Sequence, residues 1–111
     1  MTRDTLPTTH APVPPDWDHA RGRAVDREML DNCFSGWNGE ATLPCMRIHA
    51  DPVLRNLQVY TPIGADFFCV EPVSHVPDAI NRPALPDDQA MSVLPPGETL
   101  TCQMTFQPDD T

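Results

Sequence analysis

Three features of this 111-residue chain predict an all-β fold, an antiparallel β-sandwich. The stretch TLTCQMTFQ, residues 99–107, alternates cleanly. Leu100, Cys102, Met104 and Phe106 fall on one face of a strand, and Thr99, Thr101, Gln103, Thr105 and Gln107 on the other. From Leu30 onward, short apolar runs are cut by turn residues. The chain also holds 14 prolines, against about 5% in average usage. Proline lacks a backbone donor and clashes with the preceding helical turn, so this number excludes long helices.

The elements follow in order. Residues 1–29 read as a proline-rich leader, partly extended, punctuated by Pro7, Pro12, Pro14 and Pro15, with Trp17 as its one large apolar group. Within it, RAVDREML at 23–30 is long enough for one or two helical turns, which are marginal in isolation. Residues 30–107 form the β domain and 108–111 a tail. MRIHA (46–50) and LQVY (57–60) read as strands. TPIGAD then places Pro62 and Gly64 at the second and fourth positions of a turn, and Phe67–Glu71 returns as the second arm of a hairpin. Ala90–Leu94 reads as a strand, Pro96-Gly97 as the centre of a type II turn, and the alternating segment closes the domain.

Seven basic and sixteen acidic residues leave a net charge of −9. A nucleic-acid backbone or an anionic membrane would be repelled, and no Lys/Arg cluster offsets that. No apolar run reaches membrane-spanning length. The first ten residues lack the apolar stretch of an export signal, which predicts a cytoplasmic protein. Cys33, Cys45, Cys69 and Cys102 are too widely spaced for paired zinc ligands and are expected as free thiols. No metal site is predicted.

One residue raises a chemical question. In FFCVEPVSH (67–75), an apolar run ends on Glu71, and Pro72 follows at once. Proline cannot continue a ladder and holds the preceding residue extended, so Glu71 is predicted at a strand end, aimed by a stiff backbone. Phe67, Cys69 and Glu71 share one face, with Phe68 and Val70 on the other. Partial desolvation beside aromatic groups would raise a carboxyl from about 4.3 toward the range of a general base. The same residue could instead cap a turn or pair with Arg55 or Arg82.

FFCVEPVSHVPDAIN (67–81) closely resembles the late segment of the aldose 1-epimerase (galactose mutarotase) family. LDNCFSGWNGEATL (30–43) resembles that family's aspartate-containing segment, and PVPPDWDHARGR (12–23) the approach to it. LPPGETLTCQMTF (94–106) resembles its closing turn and last strand. Such enzymes interconvert the α and β anomers of free sugars. A base takes the proton of the C1 hydroxyl while an acid protonates the ring oxygen, and the ring opens, turns and recloses. The resemblance implies a galactose mutarotase-like supersandwich, a hexose substrate, and no metal or organic cofactor.

By resemblance, Glu71 is the base and Asp31 binds a sugar hydroxyl, though Asp31 would also suit an Asx-turn ahead of Asn32. Trp37 could stack on the sugar or pack in the core. His75 could line the site or bond backbone in a loop. His49, alternating with Ile48, should face solvent or a neighbouring strand. The family's acid histidine and a second, sugar-holding histidine belong to an earlier part of a longer chain that nothing here matches. His10 and His19 lie in the leader and are not assigned that role.

This chain therefore resembles a C-terminal portion, with strand edges and a core face that need covering. A homo-oligomer or a pairing with a complementary N-terminal half is expected of any well-ordered form. The alternative function is a non-catalytic carbohydrate-binding or interaction domain derived from the same fold.

Overall fold

The computed structural model describes residues 11–15, 19, 22, 24 and 29–108. Most of the leader, including the RAVDREML segment apart from Ala24, Met29 and Leu30, and the end of the tail lie outside the described residues. The strands are β1 (Leu30–Phe34), β2 (Glu40–Leu43), β3 (Met46–Ala50), β4 (Asn56–Thr61), β5 (Cys69–Val73) and β6 (Met104–Pro108), with a 3-10 turn at Ala79–Asn81. They form two three-stranded sheets, ordered β1-β4-β5 and β2-β3-β6, with every pairing antiparallel. The fold is all-β and sandwich-like, as the sequence predicts. Among the described residues no helix is long and apolar enough to cross a membrane.

The expected alternation holds in β3, where Ile48 and Ala50 are buried while Arg47 and His49 are exposed. His49 faces Glu40 of β2 across the ladder, 3.7 Å between their charged atoms. Strand β2 was not legible as a strand. EATL is only four residues long, yet it shows the same period of two, with Ala41 and Leu43 half-buried and Glu40 and Thr42 exposed. The apolar core is small: Leu30, Ile48, Ala50, Leu54 and Ala79 are the buried hydrophobic residues described.

The β4–β5 hairpin forms as predicted, but its turn centres on Ile63 and Gly64, one residue later than expected, with Gly64 at φ 79°. Strand β5 is shifted from the expected Phe67–Glu71: it starts at Cys69 and runs on to Val73. Pro72 does not stop it but lies buried within it, opposite Leu57. The reason is position: β5 is an edge strand, and an edge tolerates a residue without an N–H.

Ala90–Leu94 forms no strand. The amides of Gln89 and Ala90 both donate to the Pro86 carbonyl, at 2.9 and 3.0 Å, which winds the chain into a turn where the strand would begin. The Pro96-Gly97 turn forms as predicted, with Gly97 at φ 86° and Glu98 N donating to Pro95 O at 3.1 Å. The closing strand is shorter than its pattern and begins at Met104. Its partner β3 ends at Ala50, and Pro52 follows. Asp51 makes the last ties, receiving Gln103 N on Oδ2 at 2.7 Å and donating its own N–H to Gln103 O at 3.0 Å. The apolar face expected to be buried, Leu100, Met104 and Phe106, is exposed.

Candidate functional site

Residues directly opposed in an antiparallel ladder share a face. The β1-β4-β5 register therefore builds a small grid. Cys33 of β1 opposes Gln58 of β4, which opposes Glu71 of β5. In the adjacent row, Asp31 opposes Tyr60, which opposes Cys69. Two carboxylates thus stand at opposite corners, two thiols at the other corners, and an amide and a phenol between them.

The grid is cross-linked. Gln58 Nε2 donates to Asp31 Oδ1 at 3.2 Å, and the Asp31 N–H meets Asn32 Oδ1 at 3.2 Å. Tyr60 packs on Phe67 with ring centroids 6.4 Å apart at a tilt of 57°. The Cys33 thiol is pushed up to about 11 by burial, which keeps it protonated and uncharged beside Gln58.

Glu71 departs from expectation. It is exposed and does not sit in a water-poor pocket. Neither arginine considered from sequence pairs with it. Arg82 lies 4.0 Å from Asp78, and Arg55 Nη1 donates to Ala50 O at 3.4 Å. Glu71 instead lines an open groove of about 420 Å³, together with Gln58, Leu54, Val73, Ser74 and His75.

The walls of this groove are tied from below. Asn56, opposite Val73, is fully buried and donates through Nδ2 to Asp88 O at 2.8 Å and Ser74 O at 3.5 Å. Val76 N donates to Gln89 O at 3.0 Å, so the 74–77 and 86–90 segments are held together over β4. The Asn56 Oδ1 has no hydrogen-bond partner.

Of the four residues singled out from sequence, Glu71 and His75 line one groove, and Asp31 joins their surface through Gln58. His75 is exposed, with Nδ1 3.2 Å from Ser74 Oγ. Trp37 does not line the groove. Its Nε1 donates to Glu40 O at 2.8 Å and its backbone N–H to Arg55 O at 2.9 Å, so it braces the β1–β2 connection. Sequence reasoning missed Gln58, Tyr60 and Asn56. The signal was present, because an expected hairpin of LQVY against FFCVE sets Gln58 and Tyr60 on the alternate face that Cys69 and Glu71 share. Among the described residues, no three His, Cys, Asp or Glu side chains converge to hold a metal ion.

No family model matches the chain, and no solved structure matches it. The chain is 30% identical over 113 residues to the uncharacterized protein YphB of Escherichia coli K12, a match that covers 86% of this chain and 36% of YphB. The chain thus spans little more than a third of the length of that curated relative.

Proposed function

We propose that this chain carries the base side of a sugar-anomerising site of the aldose 1-epimerase kind, in a cytoplasmic isomerase acting on a free hexose. Glu71 takes the proton of the C1 hydroxyl, Asp31 holds a further hydroxyl with Gln58 fixing its orientation, and His75 lines the same groove. The acid that protonates the ring oxygen comes from outside this chain, on a surface that also covers Glu71. Such a cover would remove water and strengthen the carboxylate as a base.

The observation that carries this reading is the convergence of Glu71 and Asp31. They lie forty positions apart in the sequence, yet share one face through Gln58, with Glu71 unpaired over a groove. The exposure of Glu71 favours a second reading, a sugar-binding surface without turnover.

Anomer exchange of glucose and galactose, followed by two-dimensional exchange NMR with and without the chain, separates the two. Faster exchange that disappears in Glu71→Gln supports the isomerase. Sugar-dependent shifts at Gln58 and His75 without faster exchange select the binding surface. Neither effect at millimolar sugar, with the acid-bearing half also supplied, removes both.

A further inference from the structure

The polar groups around Gln58 match an occupant rich in donors. Gln58 Nε2 is committed to Asp31 Oδ1 at 3.2 Å, which leaves Gln58 Oε1 and Asp31 Oδ2 as acceptors. Glu71, directly opposite Gln58, adds a carboxylate that can only accept. No lysine or arginine lines the groove. Arg55 is turned to Ala50 O, and Arg82 to Asp78. In the next row of the same face Asn56 opposes Val73, and two carbonyls, Ser74 O and Asp88 O, hold its Nδ2. Its Oδ1 is buried without a hydrogen-bond partner, so a further unpaired acceptor lies beneath the groove wall. The chain as a whole carries a charge of −9, which draws cations and repels anions.

A sugar hydroxyl brings one donor together with lone pairs, and those lone pairs face other acceptors here. An ammonium brings three donors, no acceptor, and the charge that two carboxylates on one face leave unbalanced. A phosphate or carboxylate on the ligand would instead meet Asp31 and Glu71 with no Lys or Arg in the lining to receive it. We propose that the groove takes a hexosamine, a sugar whose protonated amine is bound by Asp31 and the Gln58 carbonyl. The inference rests on the sugar-site reading above and narrows its substrate. Connectivity places the amine on C2, the carbon bonded to C1. With the C1 hydroxyl at Glu71, the C2 substituent falls toward Gln58 and Asp31, the next polar groups along the grid. Leu54, Val73 and Val76 offer the groove's apolar surface to the ring C–H groups.

The test is to titrate the full chain with glucosamine, glucose and N-acetylglucosamine, near neutral pH and at low salt. The NMR signals of the Gln58 side-chain amide and the His75 ring report binding. Glucosamine is expected to bind about fivefold tighter than glucose, the upper end for an ion pair that water can reach. N-acetylglucosamine keeps the ring but not the charge, so it should gain nothing over glucose. The advantage of glucosamine should shrink at high salt. Asp31→Asn keeps the oxygen that Gln58 holds, so the sheet is retained while that advantage disappears. Glucose binding with glucosamine no tighter, or an advantage that survives Asp31→Asn, overturns the inference and leaves the sugar reading standing. Methylammonium that shifts the same signals as strongly as glucosamine overturns it in favour of unspecific cation attraction. A silent titration with all three sugars at millimolar concentration overturns it outright, and anomer exchange then decides the sugar reading by itself.

Discussion

Gln58 holds Asp31 by a 3.2 Å hydrogen bond from its Nε2 while standing directly opposite Glu71 in the next strand. One neutral side chain therefore holds one carboxylate and neighbours the other, with the Tyr60 phenol beside it on the same face. The amide lends its donor to Asp31 and keeps its carbonyl end for a hydroxyl or for water.

Gln58→Leu should free Asp31 to rotate without unfolding the sheet, since leucine suits a strand and the site is only half-buried. Loss of one such hydrogen bond is worth about 1 kcal/mol, so the sugar binding proposed for this face should weaken roughly fivefold. Titrations of the Tyr60 and His75 NMR signals with glucose check this. An unchanged affinity would mean that Asp31 is not held for a ligand.

Asn56 should matter more to stability than the polar side chains lining the groove, Gln58, Glu71, Ser74 and His75. Asn56→Ala removes the donor that ties Asp88 and Ser74 to β4 and should cost about 1–3 kcal/mol in urea unfolding. Asn56→Asp should be worse near neutral pH, because it sets a buried carboxylate against two carbonyl oxygens. That burial raises the folded pKa above the unfolded value of about 3.9. The unfolded state then releases its proton first, so the variant loses stability as pH rises above about 4 and recovers part of it in acid. Unfolding curves at pH 4 and 7 show the sign.

The parts of the fold legible in the sequence were those with local, repeated signals. Alternation gave β3, the β4–β5 hairpin and the existence of β6, and Pro96-Gly97 gave its turn. What failed depends on distant partners. Whether Leu100 and Phe106 are buried is decided by what covers them, and alternation in one strand cannot report that. Pro72 was misread as a stop because its tolerance rests on β5 being an edge, a property of the sheet order β1-β4-β5. The site divides in the same way. The apolar run that ends on Glu71 before Pro72 singled that residue out, its role as base and the choice of Asp31 came from resemblance, and Glu71 proved to be more exposed than a water-poor pocket would leave it. The hairpin pattern alone sets Gln58 on the face of Glu71, but its bond to Asp31 emerges only when the register of β1 against β4 is known.

The four thiols should separate by reactivity. Cys45 and Cys102 are exposed, whereas Cys33 is partly buried and raised to about 11. At pH 8 its thiolate is scarce, so iodoacetamide should label Cys45 and Cys102 well before Cys33, as read by mass spectrometry of peptides over time. The linkage runs in one direction. A thiol raised from 9.0 to about 11 on folding favours the fold below pH 9, and that contribution declines as pH rises from 9 to 11. Cys33→Ser should flatten that part of the stability profile. Equal labelling of all four cysteines in the native protein would contradict the burial of Cys33.

Gly39 should tolerate no side chain. It is buried at φ 90°, in the left-handed region, and its carbonyl receives Ala50 N at 2.8 Å. An added Cβ would meet the Arg55 guanidinium and stand 2.8 Å from Ala50 O. The guanidinium can move, but the carbonyl lies in the same peptide unit as the Asp51 N–H that donates to Gln103 O, and it cannot turn without breaking that bond. Gly39→Ala should therefore cost about 1–3 kcal/mol, and each kcal/mol lowers the melting temperature by roughly 4–8 °C in a domain of this size. Gly36→Ala is the control. It shares a positive φ of 69° but meets nothing within 4 Å, so it suffers the backbone strain alone and should melt closer to wild type. Equal losses in the two variants would show that backbone conformation, and not the close approach of Ala50 and Arg55, makes glycine necessary at position 39.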